Sequence, residues 1–128
     1  MIRFGIINVE TWRDLWQKSG LVPTPFTMIT DDGVGGCALG AIVVVRYGVR
    51  KFPSVAFYEA FGKAGFPVEW TRGVAAGFNT ENGELPRHSN PEDPLFVLGW
   101  KSGRNARIAA GMPVGLEDTP TMKETAAR

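Results

Sequence analysis

Apolar residues recur at the three- and four-residue spacing of a helix in several segments of this chain. The first such segment predicts a helix over residues 10–19, with its apolar face made by Trp12, Leu15 and Trp16. Asn8 or Thr11 can serve as its N-cap, and Gly20 is a typical C-terminal stop. The chain is therefore expected to start with an amphipathic helix.

Residues 21–47 combine turn signals with a long apolar run. Residues 21–30 contain Pro23 and Pro25 and are predicted to be extended, and the sequence Asp-Asp-Gly at 31–33 predicts a turn. Residues 37–47 fit either a helix packed on Gly40 and Ala41 or a buried strand through the β-branched run at 42–45. The eleven-residue length and the glycine-rich entry favour the helix.

Three further helices are predicted in the rest of the chain. Ser54 is a suitable N-cap for one over residues 54–64. Pro67 begins the next, and Asp93 followed by Pro94 begins the last, which ends near Gly111. The polar residues 79–93 join these last two, so residues 67–111 are predicted to form a helical hairpin.

Glycines inside both hairpin helices indicate close packing of their backbones. Each costs about 1 kcal/mol relative to alanine in a helix interior, and the spacing places them on one face of each helix. The residues predicted to pack the two helices together are Gly73, Gly77, Gly99, Trp100 and Gly103. A close helix crossing would compensate for their cost.

These patterns predict a mainly α fold with about five helices. They also allow a short strand or hairpin near the N-terminus. Residues 1–111 are expected to form one globular domain. Residues 112–128 have few apolar groups and are expected to form an extended tail. If it is ordered, the tail is expected to contact a partner chain or a groove on this chain.

The hairpin resembles the ribosome modulation factor family. The pattern of that family is Arg-Gly-x-x-Ala-Gly, then a loop with proline, then aromatic-x-x-Gly-Trp-Arg. The residues of this chain that match it are Arg72, Gly73, Ala76, Gly77, Gly99 and Trp100. Proteins of that family are small and basic, and they bind ribosomal RNA in ribosome hibernation, so the resemblance implies a ribosome-binding hairpin. Upstream, the sequence Gly-Cys-Ala-Leu-Gly-Ala at 36–41 is similar to a motif in bacterial and phage proteins of uncharacterised function.

The charge of the hairpin differs from that family. Residues 67–111 hold five basic and five acidic residues, so their net charge is zero. An RNA-binding surface normally needs an excess of positive charge. The resemblance thus implies the hairpin fold more directly than it implies ribosome binding.

Composition excludes several classes of function. The chain is 44% hydrophobic and 21% charged with a net charge of +1, which is ordinary for a globular protein. One cysteine and one histidine cannot supply a classical zinc site, and no cofactor or metal is expected. The apolar run at 37–45 is half the length of a membrane span. A cytoplasmic location, in a bacterium or an infected cell, is expected, and a virion is an alternative.

Candidate chemistry is confined to Cys37 and His88. Cys37 follows a glycine-rich turn and, at the start of a helix, its thiolate would be stabilised by the helix dipole. With His88 and Asn90 or Asp93, it would form a cysteine-protease-like arrangement. A buried structural cysteine is the interpretation that the surrounding small residues favour.

Basic residues supply the candidate binding site for RNA or another partner. One group lies in residues 46–51, and a second lies in the hairpin; together they are Arg46, Arg50, Lys51, Arg72, Lys101, Arg104 and Arg107. A solvated face, with the last three complementing a helix C-terminus, is the competing interpretation. The expected function is a non-catalytic interaction protein docking on a larger assembly, such as a ribosome. The alternatives are a structural subunit of a phage particle and a Cys37-dependent enzyme.

Overall fold

The computed structural model describes residues 5–48, 61–62, 65–87, 89–115 and 120. Within these residues the fold is mainly helical, as predicted, with four helices that each run through at least ten residues. They are α1 (Val9–Ser19), α2 (Ala38–Tyr47), α3 (Val68–Asn79) and α4 (Pro94–Ala109). Most of the helix predicted over 54–64 lies outside the described residues, although Phe61 and Gly62 are helical.

Helix α1 begins and ends where its sequence predicts. The side chain of Asn8 accepts a hydrogen bond from the Thr11 amide, so Asn8 is the N-cap. Gly20 adopts the left-handed conformation and donates its amide to the Trp16 carbonyl. Trp12 and Trp16 are buried on the inner face of this helix. Their burial fixes α1 against α2 and α4.

Helix α2 is formed by the apolar run at 37–47. The helix prediction for this run is therefore confirmed over the alternative of a buried strand. Cys37 is its N-cap and Gly48 its left-handed C-cap. A Cβ on either Gly36 or Gly40 would overlap the carbonyl oxygen of Met28, which lies against the first turn. The small residues of the upstream motif therefore let the preceding loop pack directly on the helix backbone.

Helices α3 and α4 pack together through the predicted glycine faces, but their contacts advance in the same direction along both helices, so within the hairpin segment 67–111 the two helices run parallel and not antiparallel. Each of the four predicted glycines faces a backbone carbonyl of the opposite helix, and a Cβ there would overlap it. The pairs are Gly73 with Phe96, Gly77 with Trp100, Gly99 with Trp70, and Gly103 with Val74. This geometry brings the two helix axes closer than larger side chains would permit.

The two short strands pair in parallel. Strand β1 (Val22–Pro23) lies beside β2 (Gly35–Gly36), with Val22 opposite Gly35. These two strands therefore do not form a β-hairpin, because a hairpin would pair its strands antiparallel. The intervening loop, residues 24–34, returns the chain to the same end of the pair.

Residues 5–7 are bound to α4. The Ser102 hydroxyl accepts the Ile7 amide at 2.8 Å, and Asn105 donates its side-chain amide to the Ile7 carbonyl at 3.0 Å. The Trp70 indole donates to the Gly5 carbonyl. This segment therefore closes one side of the hairpin with hydrogen bonds to both of its helices.

Beyond the predicted domain boundary at 111, the chain stays attached to the hairpin. The Gly115 amide donates to the Glu81 carbonyl at 2.7 Å, and Met112 and Val114 are half-buried. Residues 116–119 and 121–128 lie outside the described residues. The part of the tail that is described thus contacts this chain itself.

Candidate functional site

A cleft of about 350 Å³ lies on the outer face of the hairpin, where α3 faces the loop that joins it to α4. Its polar lining is Arg72, Asn79, Arg87 and Ser89, and its apolar lining is Ala75, Ala76, Pro86 and Phe96. The volume falls at the lower end of the range of small-molecule sites. We call this feature the arginine cleft.

Both arginines of the cleft are exposed. The Arg72 side chain is half exposed and forms an ion pair with Glu69 at 3.1 Å, one turn earlier on α3. Arg87 lies in the connecting loop after Pro86. Arg72 and Ala76, which line the cleft, also belong to the Arg-Gly-x-x-Ala-Gly motif at 72–77.

Arg104 is buried, with only 5% of its surface exposed. One guanidinium nitrogen donates to the Gly77 and Thr80 carbonyls, the latter at 2.9 Å, and the other donates to the Glu81 carbonyl. The guanidinium also lies 5.3 Å from the Trp100 ring centre. Arg104 therefore supplies donors to one of the last carbonyls of α3, that of Gly77, and to two carbonyls in the turn that follows the helix.

Arg107 has the same role one turn later. It is equally buried, and it donates to the Phe78 carbonyl and, through Nε, to the Pro113 carbonyl, both at 2.8 Å. Burial lowers the pKa of Arg107, and the charge of Glu81 acts in the opposite direction. The two cations also face the negative end of the α3 dipole.

Arg104 and Arg107 are therefore not on an exposed basic face, and this expectation from the sequence is corrected. Their guanidinium groups face the C-terminal end of the neighbouring helix and not the solvent. The idea that these residues complement a helix C-terminus holds for α3, not for their own helix.

The other predicted basic residues are spread over different surfaces. Lys101 is half-buried on α4. Arg46 is exposed at the end of α2, with its guanidinium 5.3 Å from the Phe66 ring centre. Arg50 and Lys51 lie outside the described residues. Of the predicted binding residues that the structure describes, only Arg72 lines the cleft.

Cys37 is buried, with 5% of its surface exposed. Burial raises the pKa of its thiol above the ordinary value of 9.0, and the backbone amides of Gly40 and Leu39 only partly oppose this effect. The helix N-terminus therefore does not produce a reactive thiolate here. His88, the proposed catalytic partner, lies outside the described residues.

We expect iodoacetamide to label native Cys37 slowly at neutral pH and rapidly after denaturation, because the thiol is both buried and protonated. Mass spectrometry of the intact chain measures this directly, since the sequence has one cysteine. The folded-state pKa is raised, so stability should fall as the pH rises above 9.0. Labelling of the native protein as fast as that of the denatured protein would contradict this prediction.

A second concave surface lies beside α2. Its volume is about 330 Å³, and it is lined by Ile7, Leu15, Ile42, Val45, Arg46, Phe66 and Trp70. Arg46 is the one charged residue among them. We call this feature the apolar groove.

Phe26 is the most exposed large apolar residue in the described part of the chain, at 73%. Its backbone has a φ of 67°, a left-handed conformation that costs a bulky residue about 1–3 kcal/mol. The Asn79 side chain, which also lines the arginine cleft, accepts the Phe26 amide at 2.9 Å. A long-range hydrogen bond thus holds the backbone of this exposed aromatic residue in a strained conformation.

Sequence reasoning missed Arg87, Asn79 and Phe26 as surface residues of interest. Arg87 stands in a loop, and only the fold of that loop onto α3 brings it to Arg72. Asn79 and Phe26 are separated by 53 positions, and no spacing rule connects them. The sequence contains one signal for these three residues, namely that Arg87 follows a proline in a polar loop.

Two negative findings apply to the described ranges between residues 5 and 120. None of their helices is long and apolar enough to cross a membrane. They also contain no group of three or more histidine, cysteine, aspartate or glutamate side chains that could hold a metal ion.

The chain was compared with known proteins. No protein-family model and no solved structure matches it. It is similar to an acetyl-coenzyme A synthetase of Coprinopsis cinerea, with 29% identity over 124 residues. That similarity covers 91% of this chain and 17% of the synthetase, so the chain spans about a sixth of the length of this relative.

Proposed function

We propose that this chain is a non-catalytic interaction protein that docks on a ribonucleoprotein assembly, such as a ribosome, through the arginine cleft. The observation that supports this proposal is the placement of the arginines of the hairpin. Arg104 and Arg107 are buried within it, whereas Arg72 and Arg87 are exposed and line one cleft.

The chemistry of the cleft suits a phosphate backbone. Guanidinium groups donate paired hydrogen bonds to phosphate oxygens, and they hold their charge at any physiological pH. Ser89 and Asn79 add neutral polar groups to the lining, and Phe96 and the two alanines give it apolar walls. Phosphate contacts from such side chains position a protein on a nucleic acid.

The neutral net charge of the hairpin is compatible with a local site of this kind. Glu69 already pairs with Arg72, and the other acidic residues of the hairpin do not line the cleft. The expected binding is therefore weak and strongly dependent on salt, because few phosphates are neutralised.

Cosedimentation with ribosomes over a range of salt concentrations tests the proposal. We expect binding of the wild-type chain at low salt, and a double variant with Arg72→Ala and Arg87→Ala should reduce the slope of log affinity against log salt by about 2. The matched control is Arg13→Ala, since Arg13 is exposed on α1 and pairs with Glu10 at the same three-residue spacing as Arg72 with Glu69.

Two results would count against this function. One is the absence of cosedimentation at low salt. The other is an equal loss of binding in the Arg13 control, which would show that total charge matters and the cleft does not.

A structural subunit of a larger particle is the second candidate. The observation in its favour is the coexistence of an exposed apolar loop around Phe26 and an apolar groove on the same chain. A Cys37-dependent enzyme draws no support from a buried thiol whose pKa is raised.

A further inference from the structure

Three of the exposed large apolar residues lie close together in sequence, within residues 22–34. They are Val22, Phe26 and Val34. The Val22 amide donates to the Val34 carbonyl at 2.9 Å, so the backbones of these two valines are adjacent. We call residues 22–34 the Phe26 loop.

The Phe26 loop is acidic as well as apolar. Asp31 and Asp32 are exposed, and residues 20–45 contain no lysine or arginine. Hydrogen bonds from the Thr30 hydroxyl and the Val34 amide lower the pKa of Asp32, which keeps its carboxylate charged. A phosphate-rich partner would be repelled by this surface, whereas a protein surface with a cation beside an apolar depression would fit it.

The apolar groove has these two properties. Six of its lining residues are apolar, and Arg46, at its edge, is exposed and positive. Helix α2 supplies Ile42, Val45 and Arg46, while Phe66 and Trp70 supply aromatic walls. Val45 is 38% exposed, so part of this apolar lining is in contact with solvent.

We propose that the Phe26 loop of one copy of this chain docks in the apolar groove of a second copy. Phe26 fills the groove between the aliphatic and aromatic side chains, and the acidic residues of the loop lie toward Arg46. The loop and the groove are both apolar, and their charges are opposite in sign. Such complementarity selects one partner over others.

With one loop–groove contact between each pair of copies, the proposed interface is heterologous. Each copy then has a free loop at one end and a free groove at the other, and further copies can add. The preorganised Phe26, held by Asn79, loses little conformational freedom on docking. One aromatic residue and a small groove make an interface at the weak end of the specific range, so micromolar or weaker affinity is expected.

Sedimentation analysis of the full chain over a wide concentration range tests this proposal. The wild type should form a concentration-dependent series that passes beyond the dimer. Phe26→Gly should weaken the association by at least about thirtyfold, as expected for loss of a central anchor residue. Because glycine adopts a positive φ without strain, the same variant should raise the melting temperature, so misfolding cannot account for the lost association.

A mixing experiment identifies the two surfaces. Val45→Glu puts a carboxylate beside Arg46 and should abolish docking on the groove while leaving the loop intact. Each variant alone should be monomeric, and an equimolar mixture of Phe26→Gly and Val45→Glu should form a dimer that does not grow. Ile108→Glu, at an exposed apolar position outside the groove, is the matched control and should assemble like the wild type.

The proposal is overturned if the wild type stays monomeric at all concentrations, or if it stops at a dimer. It is also overturned if the mixture of variants stays monomeric, or if Phe26→Gly associates as strongly as the wild type. Assembly that is lost equally in the Ile108 control would show nonspecific association of apolar surfaces and would reject it as well.

Discussion

Replacing Gly99 by alanine is expected to destabilise the protein by about 3 kcal/mol or more, at the upper end of the cost of overpacking. Its Cβ would overlap the carbonyl oxygen of Trp70, and both groups belong to helix backbones that cannot yield separately. Denaturant unfolding measures the loss, and the melting temperature should fall by about 10 °C or more.

Gly62→Ala is the matched control, because Gly62 is also helical and no atom of the described residues lies within 4 Å of the new Cβ. This variant should be neutral or slightly more stable, since alanine has the higher helix propensity. Equal stability of the two variants would refute the close crossing of α3 and α4.

Replacing Arg104 by methionine should cost about 3 kcal/mol or more. The change removes the charged donor from the carbonyls of Gly77 and Thr80, and a buried carbonyl left unsatisfied costs about 1–3 kcal/mol. The Glu81 carbonyl also loses this donor but keeps the Gly115 amide. Arg104→Lys should recover only part of the loss, because one ammonium group lacks the forked donors that reach three carbonyls. Thermal unfolding of both variants gives the comparison.

Lys101→Met is the control for the loss of charge. Lys101 lies on the same helix three residues earlier and is half-buried, so its removal changes the net charge equally. We expect a change within about 0.5 kcal/mol. If Arg104→Met destabilised the protein as little as Lys101→Met, the guanidinium would not be holding the end of α3.

The helices could be predicted from the sequence because their signals are local. Asn8, Gly20 and Gly48 mark helix ends through the conformation of one residue each, and Asp93 accepts the Leu95 amide as an N-cap should. The glycine spacing in α3 and α4 also predicted the face of contact. It could not predict that each glycine faces a carbonyl, because that depends on the relative shift of the two helices.

The sequence could not predict which basic residues are buried and which are exposed. Arg72 and Arg104 are both arginines of amphipathic helices, and no composition rule tells an exposed one from a buried one. The difference arises at the end of α3, where Arg104 lies close enough to donate to the carbonyls of Gly77, Thr80 and Glu81. The parallel pairing of β1 and β2 escaped prediction for a similar reason, since two-residue strands carry no periodicity.

The attachment of residues 5–7 to α4 affects the order in which the fold is completed during synthesis. Ile7 is synthesised almost one hundred residues before its hydrogen-bonding partners, Ser102 and Asn105. The hairpin can form from contacts between residues near in sequence, but docking of the first segment must await the last helix. The apolar side chains of α1 therefore stay without their final cover until nearly all of the described chain has emerged.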